Sequence, residues 1–195
     1  MISQALAFLL DALASLFILA ALVRFWMQAF RAPTRNPIAY FTMALTDWAV
    51  KPLRRVIPGL LRLDWASFVL AYLLEFALQY LLVVILRGVF PDNGTAFSVL
   101  LFKSFVELVR LSLYIFMGAV VLGAVLSWVN PYHPVAPFFA ALSNPFMKPV
   151  RRVIPPIGGV DISPVFVLIF FQFLLMFPLA WLDAETRMML DRALL

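Results

Sequence analysis

The 195-residue chain is 65% hydrophobic and 13% charged, and its 15 Lys and Arg against 10 Asp and Glu leave a formal charge of +5. That balance excludes an ordinary soluble domain, in which about a quarter of the residues carry charge. The absence of cysteine excludes disulfides, thiolate metal sites and cysteine nucleophiles.

In chain order, four apolar segments are each long enough, at about 20 residues, to cross a hydrocarbon layer of about 30 Å as helices. They are placed at about residues 6–26, 65–86, 111–129 and 162–182. The first has no basic leader and runs into Arg24-Phe25-Trp26 with no small-residue cleavage site, so it reads as a retained helix and not a signal peptide. Between Phe97 and Arg110, the spacing of Lys103, Glu107 and Arg110 predicts an amphipathic extension of the third helix with a solvated charged face.

Lys and Arg are unevenly distributed among the connections. Arg24, Arg31, Arg35, Lys51, Arg54, Arg55 and Arg62 lie around the first long loop, residues 27–64, and Lys148, Arg151 and Arg152 in the second, residues 130–161. Arg87, Lys103, Arg110, Arg187 and Arg192 lie on the other side. The positive-inside rule then predicts cytoplasmic basic loops and both termini across the membrane, on the periplasmic side.

The two loops repeat one another. "KPLRRVIP" at Lys51 returns 97 residues later as "KPVRRVIP" at Lys148. In that register Pro52 falls on Pro149, Arg54-Arg55 on Arg151-Arg152, Pro58 on Pro155, Asp64 on Asp161 and Glu75 on Gln172, while Trp26 meets Trp128 if the first copy carries five extra residues. The reading is an all-α membrane protein of two tandem, parallel repeats, residues 1–90 and 91–195. Each is a helix, an amphipathic cytoplasmic loop and a helix, related by a pseudo-two-fold axis along the membrane normal.

Within each loop, Ile38, Phe41, Leu45 and Trp48, and again Val135, Phe138, Leu142 and Pro145, carry the spacing of an amphipathic helix. Asn36-Pro37 supplies a capping start and His133-Pro134 a weaker one, and Pro52 and Pro149 are expected to end or bend these helices. Gly158-Gly159 allows a tight reversal, after which Asp161, like Asp64, is placed to cap the next crossing.

Pro149, Arg151, Arg152, Pro155, Gly159, Asp161, Ser163 and Pro164 form a pattern that resembles the repeat of the YggT family of bacterial inner-membrane proteins. The first copy keeps Pro52, Arg54, Arg55, Pro58 and Asp64 but lacks the glycine and the Ser-Pro. The resemblance spans nearly the whole chain and implies no established reaction. Relatives are associated with cell-division gene neighbourhoods, osmotic-stress tolerance and, in photosynthetic lineages, cytochrome assembly and nucleoid distribution.

Lys51, Arg54, Arg55, Lys148, Arg151 and Arg152 are candidates for binding anionic lipid head groups, at about 1 kcal/mol per residue, or a membrane-protein partner or second copy. The plainer reading is that they only fix topology and snorkel. Their mixture with large aliphatic residues argues against nucleic acid. Glu75, Gln79 and Gln172 are intramembrane polar residues; Glu75 either marks a functional site or hydrogen-bonds to Gln172 between helices. A lone His133 and serines without a neighbouring base leave no metal site, cofactor or nucleophile to predict. The sequence therefore points to a non-enzymatic inner-membrane protein that organises membrane components through its paired basic motifs. The alternative is a transporter or channel-related protein using Glu75, Gln79 and Gln172 inside the bundle.

Overall fold

The structure, a computed structural model, describes residues 1–59, 63–154 and 161–194. The predicted motif residues Pro155, Gly158 and Gly159, and Arg62 of the charge count, lie outside these described residues. The described residues form α1 (Ile2–Ala29), α2 (Pro37–Val56), α3 (Trp65–Arg87), α4 (Gly94–Val129), α5 (Ala136–Val153), α6 (Ser163–Leu174) and α7 (Ala180–Ala193), with a π-helical turn at Leu175–Leu179 joining the last two. Four spans, α1, α3, α4 and the continuous α6–α7, are long and apolar enough to cross a membrane. Their outward side chains are large and apolar, including Phe8, Leu13, Phe102, Phe166 and Phe170, as lipid contact requires.

The spans are longer than the sequence indicated. The predicted extension and third helix are one 36-residue helix, α4, about 54 Å long at 1.5 Å per residue. The fourth span continues past Leu182 to Ala193, and its π turn falls where Pro178 lacks the N–H for a regular ladder. Pro52 and Pro149 end neither amphipathic helix: α2 and α5 each run four residues further, to Val56 and Val153. Asn36 does cap α2, accepting from the Ala39 N–H at 3.0 Å, with Pro37 in the first helical position, whereas α5 begins without a side-chain cap.

The charged face of α4 is packed and not solvated. Lys103, Glu107 and Arg110 are half-buried, and Arg110 pairs with Glu107 at 2.9 Å and with Asp183 of α7 at 3.1 Å, while Arg187 reaches the same Asp183 at 3.0 Å. A helix face placed between apolar neighbours must pair its charges internally, and α7 supplies the partners.

α1 packs most extensively on α3, running antiparallel to it, with Phe25 against Phe68. α3 returns through α4, where the Tyr72 hydroxyl donates to the Leu101 carbonyl at 2.9 Å and Phe76 meets Phe97. The halves join through an aromatic cluster of Trp26, Phe30, Phe116, Phe146 and Phe171, in which the Trp26 indole donates to Ser112 Oγ at 3.0 Å. The expected two-fold relation between halves is not what the packing shows. α3 lies on α4, but its counterpart α6 touches neither α1 nor α3 among the described residues. Trp26 packs at the level of Ser112 and Phe116, so Trp128, its repeat counterpart, lies 12 to 16 residues further on, about 20 Å along α4. An ion pair of Arg87 with Asp191 holds the opposite ends of the two hairpins together, and a hydrogen bond from Asn93 to the Ala193 carbonyl ties the start of α4 to the end of α7. The extra length of α4 therefore emerges wholly at the motif end.

Candidate functional site

The first corner is where α1, α2 and α3 meet. Its centre is Asp64, 3% exposed at the N-terminal end of α3. Arg54, in the last turn of α2, donates to both carboxylate oxygens, the Nε contact measuring 3.1 Å. Ser67 donates to Asp64 Oδ2 at 2.6 Å, and Arg24 Nε of α1 stands 3.5 Å from it. Arg24 is itself buried and donates from Nη1 to Thr46 Oγ1 at 2.8 Å and Asp47 Oδ1 at 2.7 Å; Lys51 closes the network on Asp47 at 2.8 Å. Asp64 was expected to cap α3, but these partners occupy its carboxylate and no side-chain cap bond forms.

The electrostatics follow from this arrangement. Burial alone would raise the Asp64 carboxyl, yet the hydrogen bonds from Arg54 and Ser67 and the charge of Arg24 outweigh it and hold the group below the usual carboxylate range. Asp47 is lowered by its hydrogen bond to Lys51 and, against some desolvation, by Arg24. Arg54 is raised by Asp64.

The second corner repeats the clip with fewer partners. Arg151 donates from Nε to Asp161 Oδ2 at 2.8 Å and approaches the same oxygen through Nη2 at 2.7 Å. Asp161 Oδ1 accepts from the Ser163 N–H at 2.9 Å, so this aspartate does cap its helix. Burial raises its carboxyl, and Ser163 with the Arg151 guanidinium brings it below the ordinary value. Beside it opens a cavity of about 350 Å³ lined by Gly123, Ala124, Ser127, Asn144, Met147 and Pro164.

The six basic candidates thus divide. Arg54 and Arg151 are committed to their aspartates, whereas Arg55, Lys148 and Arg152 are exposed and Lys51 is exposed with Asp47 at its ammonium. Pro52, Pro58 and Pro149 are exposed and Ser163 is buried. Glu75 and Gln79 are buried on α3, joined by a 2.8 Å hydrogen bond from Gln79 Nε2. Gln172 is exposed on α6, and since α3 and α6 do not touch, the anticipated bond between Glu75 and Gln172 has no geometry in which to form.

Arg24, Thr46, Asp47 and Ser67 were missed as site residues. The Asp47–Lys51 spacing of four was a usable signal, and so was an arginine one turn from the end of an apolar helix, which needs a buried acceptor. Arg31 was counted only as charge. It follows the Phe30 C-cap of α1 at φ +53°, a left-handed position that costs a non-glycine residue roughly 1 kcal/mol, and the Ala32 N–H closes the turn on the Met27 carbonyl at 2.8 Å. Among the described residues, no three His, Asp or Glu side chains converge as a metal site.

Four apolar spans, each pair linked by an amphipathic helix that ends in an arginine–aspartate clip, define a multi-pass membrane protein. The chain belongs to the CCB3/YggT family, whose model matches residues 3–86 and 102–182, one stretch per half. It is 34% identical over 190 residues to an uncharacterized protein of Pseudomonas aeruginosa, covering 96% of this chain and 94% of that one. It is 32% identical over 165 residues to the uncharacterized protein YggT of Escherichia coli K12, covering 84% of each. An uncharacterized protein from the proC 3′ region of Vibrio alginolyticus is 32% identical over 172 residues, 87% of this chain and 91% of that one. No solved structure matches the chain.

Proposed function

We propose that the chain is a non-enzymatic bacterial inner-membrane protein that organises membrane components through the outward face of its two corners, with anionic lipid head groups or a membrane-protein partner as the bound species. The observation carrying this reading is the division of labour within each Arg-Arg pair. The first arginine holds the corner's shape by clipping an aspartate ten residues on, which leaves the second arginine, a lysine and an exposed valine, Val56 or Val153, facing outward. Trp48, Phe41 and Tyr40 extend the first of these faces with exposed aromatic rings suited to the head-group boundary. At about 1 kcal/mol per basic residue, Lys51, Arg55, Lys148 and Arg152 offer at most about 4 kcal/mol toward an anionic surface.

The test is Arg55→Glu combined with Arg152→Glu, which leaves both clips intact. Loss of co-purifying anionic lipid or of a crosslinked partner supports the reading, and unchanged lipid and partner content refutes it. Cytoplasmic corners and termini on the opposite face complete the proposal. In a chain with no native cysteine, Thr34→Cys should label from the cytoplasmic side and Thr95→Cys from the other.

A second reading, transport, is favoured by one observation: Glu75 and Gln79 are buried on α3, and Glu107, Arg110, Asp183 and Arg187 are paired between α4 and α7. Ion flux in reconstituted vesicles that disappears in both Glu75→Leu and Asp183→Asn would establish it. Absence of flux in the wild-type chain would dismiss it.

A further inference from the structure

Between the end of α1, the α1–α2 connection and the last turn of α2 lies a cavity of about 440 Å³ lined by three arginines, Arg24, Arg31 and Arg54, together with Thr34 and Gln28. We propose that this cavity is a binding site for a phosphate oxyanion. It deepens the head-group reading above by giving it a built site, and rests on that reading only for the source of the phosphate.

Charge is the first argument. Arg24, Lys51 and Arg54 pair with two carboxylates, Asp47 and Asp64, and Arg31 on the cavity wall adds a fourth cation that pairs with neither, so the cluster holds two positive charges in excess. Asp64 and Asp47 are already shared among several donors, and Arg31 has no ion-pair partner among the described residues. An anion with several oxygens completes this balance, and forked guanidinium donors suit the tetrahedral face of a phosphate better than a single ammonium would.

Pre-organisation is the second. Arg24 is 7% exposed and fixed by Thr46 and Asp47, and Arg54 is fixed by its two bonds to Asp64, so two of the three groups are positioned before any ligand arrives. Arg31 is held at its left-handed position at the helix end, where glycine is the usual residue, and its side chain completes the wall. Met27 and Met43 line the remainder with flexible apolar surface, room for the carbon skeleton attached to a phosphate.

The third is the contrast with the second half. In the register that aligns Trp26 with Trp128, Arg24 corresponds to Leu126 and Arg31 to His133. The duplicated motif therefore carries this site once, in the first half.

The experiment uses the full chain in nanodiscs and two probes. One arm measures binding of labelled inorganic phosphate in phosphatidylcholine discs. The other measures phosphatidylglycerol retained from mixed phosphatidylcholine–phosphatidylglycerol discs by native mass spectrometry. Binding in at least one arm is expected, and Arg31→Gln should weaken it about tenfold, the equivalent of one charge-assisted hydrogen bond. Arg31→Gly should do the same while favouring the native backbone, which separates lost binding from lost folding, and Arg192→Gln, at the far end of the molecule, should change nothing. Lipid retention alone identifies a head group as the source; phosphate binding alone identifies a soluble one. No binding in either arm, or binding unchanged by both Arg31 variants, overturns the proposal. Phosphatidylglycerol lost in Arg55→Glu with Arg152→Glu but kept in Arg31→Gln sinks the cavity and spares the outward face; the reverse pattern sinks the outward face and spares the cavity.

Discussion

In the first half the motif aspartate, Asp64, lies buried beneath two arginines and a serine, whereas its counterpart Asp161 holds one arginine and leaves a third of its side chain exposed. The difference begins in the neighbouring helices. Aligned on Trp26 and Trp128, Ile18, Ala21, Leu22, Arg24 and Phe25 of α1 correspond to Val120, Gly123, Ala124, Leu126 and Ser127 of α4, and in the 97-residue register of the basic motif Asp47 corresponds to Asn144. The packing residues shrink and the pair of buried Arg24 with half-buried Asp47 disappears, and a cavity of about 350 Å³ lies beside Asp161. The same duplicated string thus builds a junction whose aspartate is buried in one half and one whose aspartate is partly exposed in the other.

The largest effect that tests this contrast is Asp64→Ala. It unpairs Arg54, whose side chain is 44% exposed, and leaves buried Arg24 with Thr46 and Asp47 alone, and should cost about 3 kcal/mol. Asp161→Ala, at a partly exposed pair, should cost about 1 kcal/mol. Denaturant unfolding of the purified chain in micelles measures both, and equal losses would break the comparison. Arg24→Leu, which installs the residue that the second half carries, should cost about 2–3 kcal/mol because Asp47 and Asp64 each lose a charge-assisted partner. A neutral result would mean that the first corner does not depend on its extra arginine.

Acid gives a graded version of the same test. The carboxyls of Asp47 and Asp64 are held below their ordinary value, so their pairing contributes stability that is fully present above the unfolded value of about 3.9 and is lost as pH falls through the lower folded values. Fluorescence of Trp26 and Trp65, which flank the first corner, should change only below about pH 4. A transition near neutrality would contradict the assigned pairing.

Much of this architecture was legible in the sequence because each part obeys a local rule. Apolar length marked the four spans, the 97-residue repeat located both corners, and Asn36-Pro37 marked the start of α2. What escaped depends on distance through space. Nothing in the string says that Arg24 reaches Asp47, that Arg110 meets Asp183 on a helix some 70 residues later, or that Arg54 and Arg151, and not Arg55 and Arg152, reach the aspartates. The stagger of the halves was hidden for a similar reason: sequence symmetry implied a symmetric interface, but α4 is 13 residues longer than α3, and that length moves the second corner outward.

The smallest predicted effect concerns a repeat pair whose intramembrane members lie on helices that do not touch. Glu75 is buried and accepts from Gln79 one turn away on α3, while Gln172 is exposed on a helix that never meets α3. If the pair acted across the molecule, Glu75→Gln and Gln172→Leu would produce matching losses. With Glu75 serving its own helix, Glu75→Gln keeps a hydrogen-bonding side chain beside Gln79 and should cost no more than about 1 kcal/mol. Gln172→Leu exchanges an exposed amide for an apolar group and should change unfolding by less than about 0.5 kcal/mol. Adding both substitutions in one chain should give the sum of the two, because residues with no shared contact do not couple. An excess over additivity in that double-mutant cycle would show that α3 and α6 communicate in a way their packing does not provide.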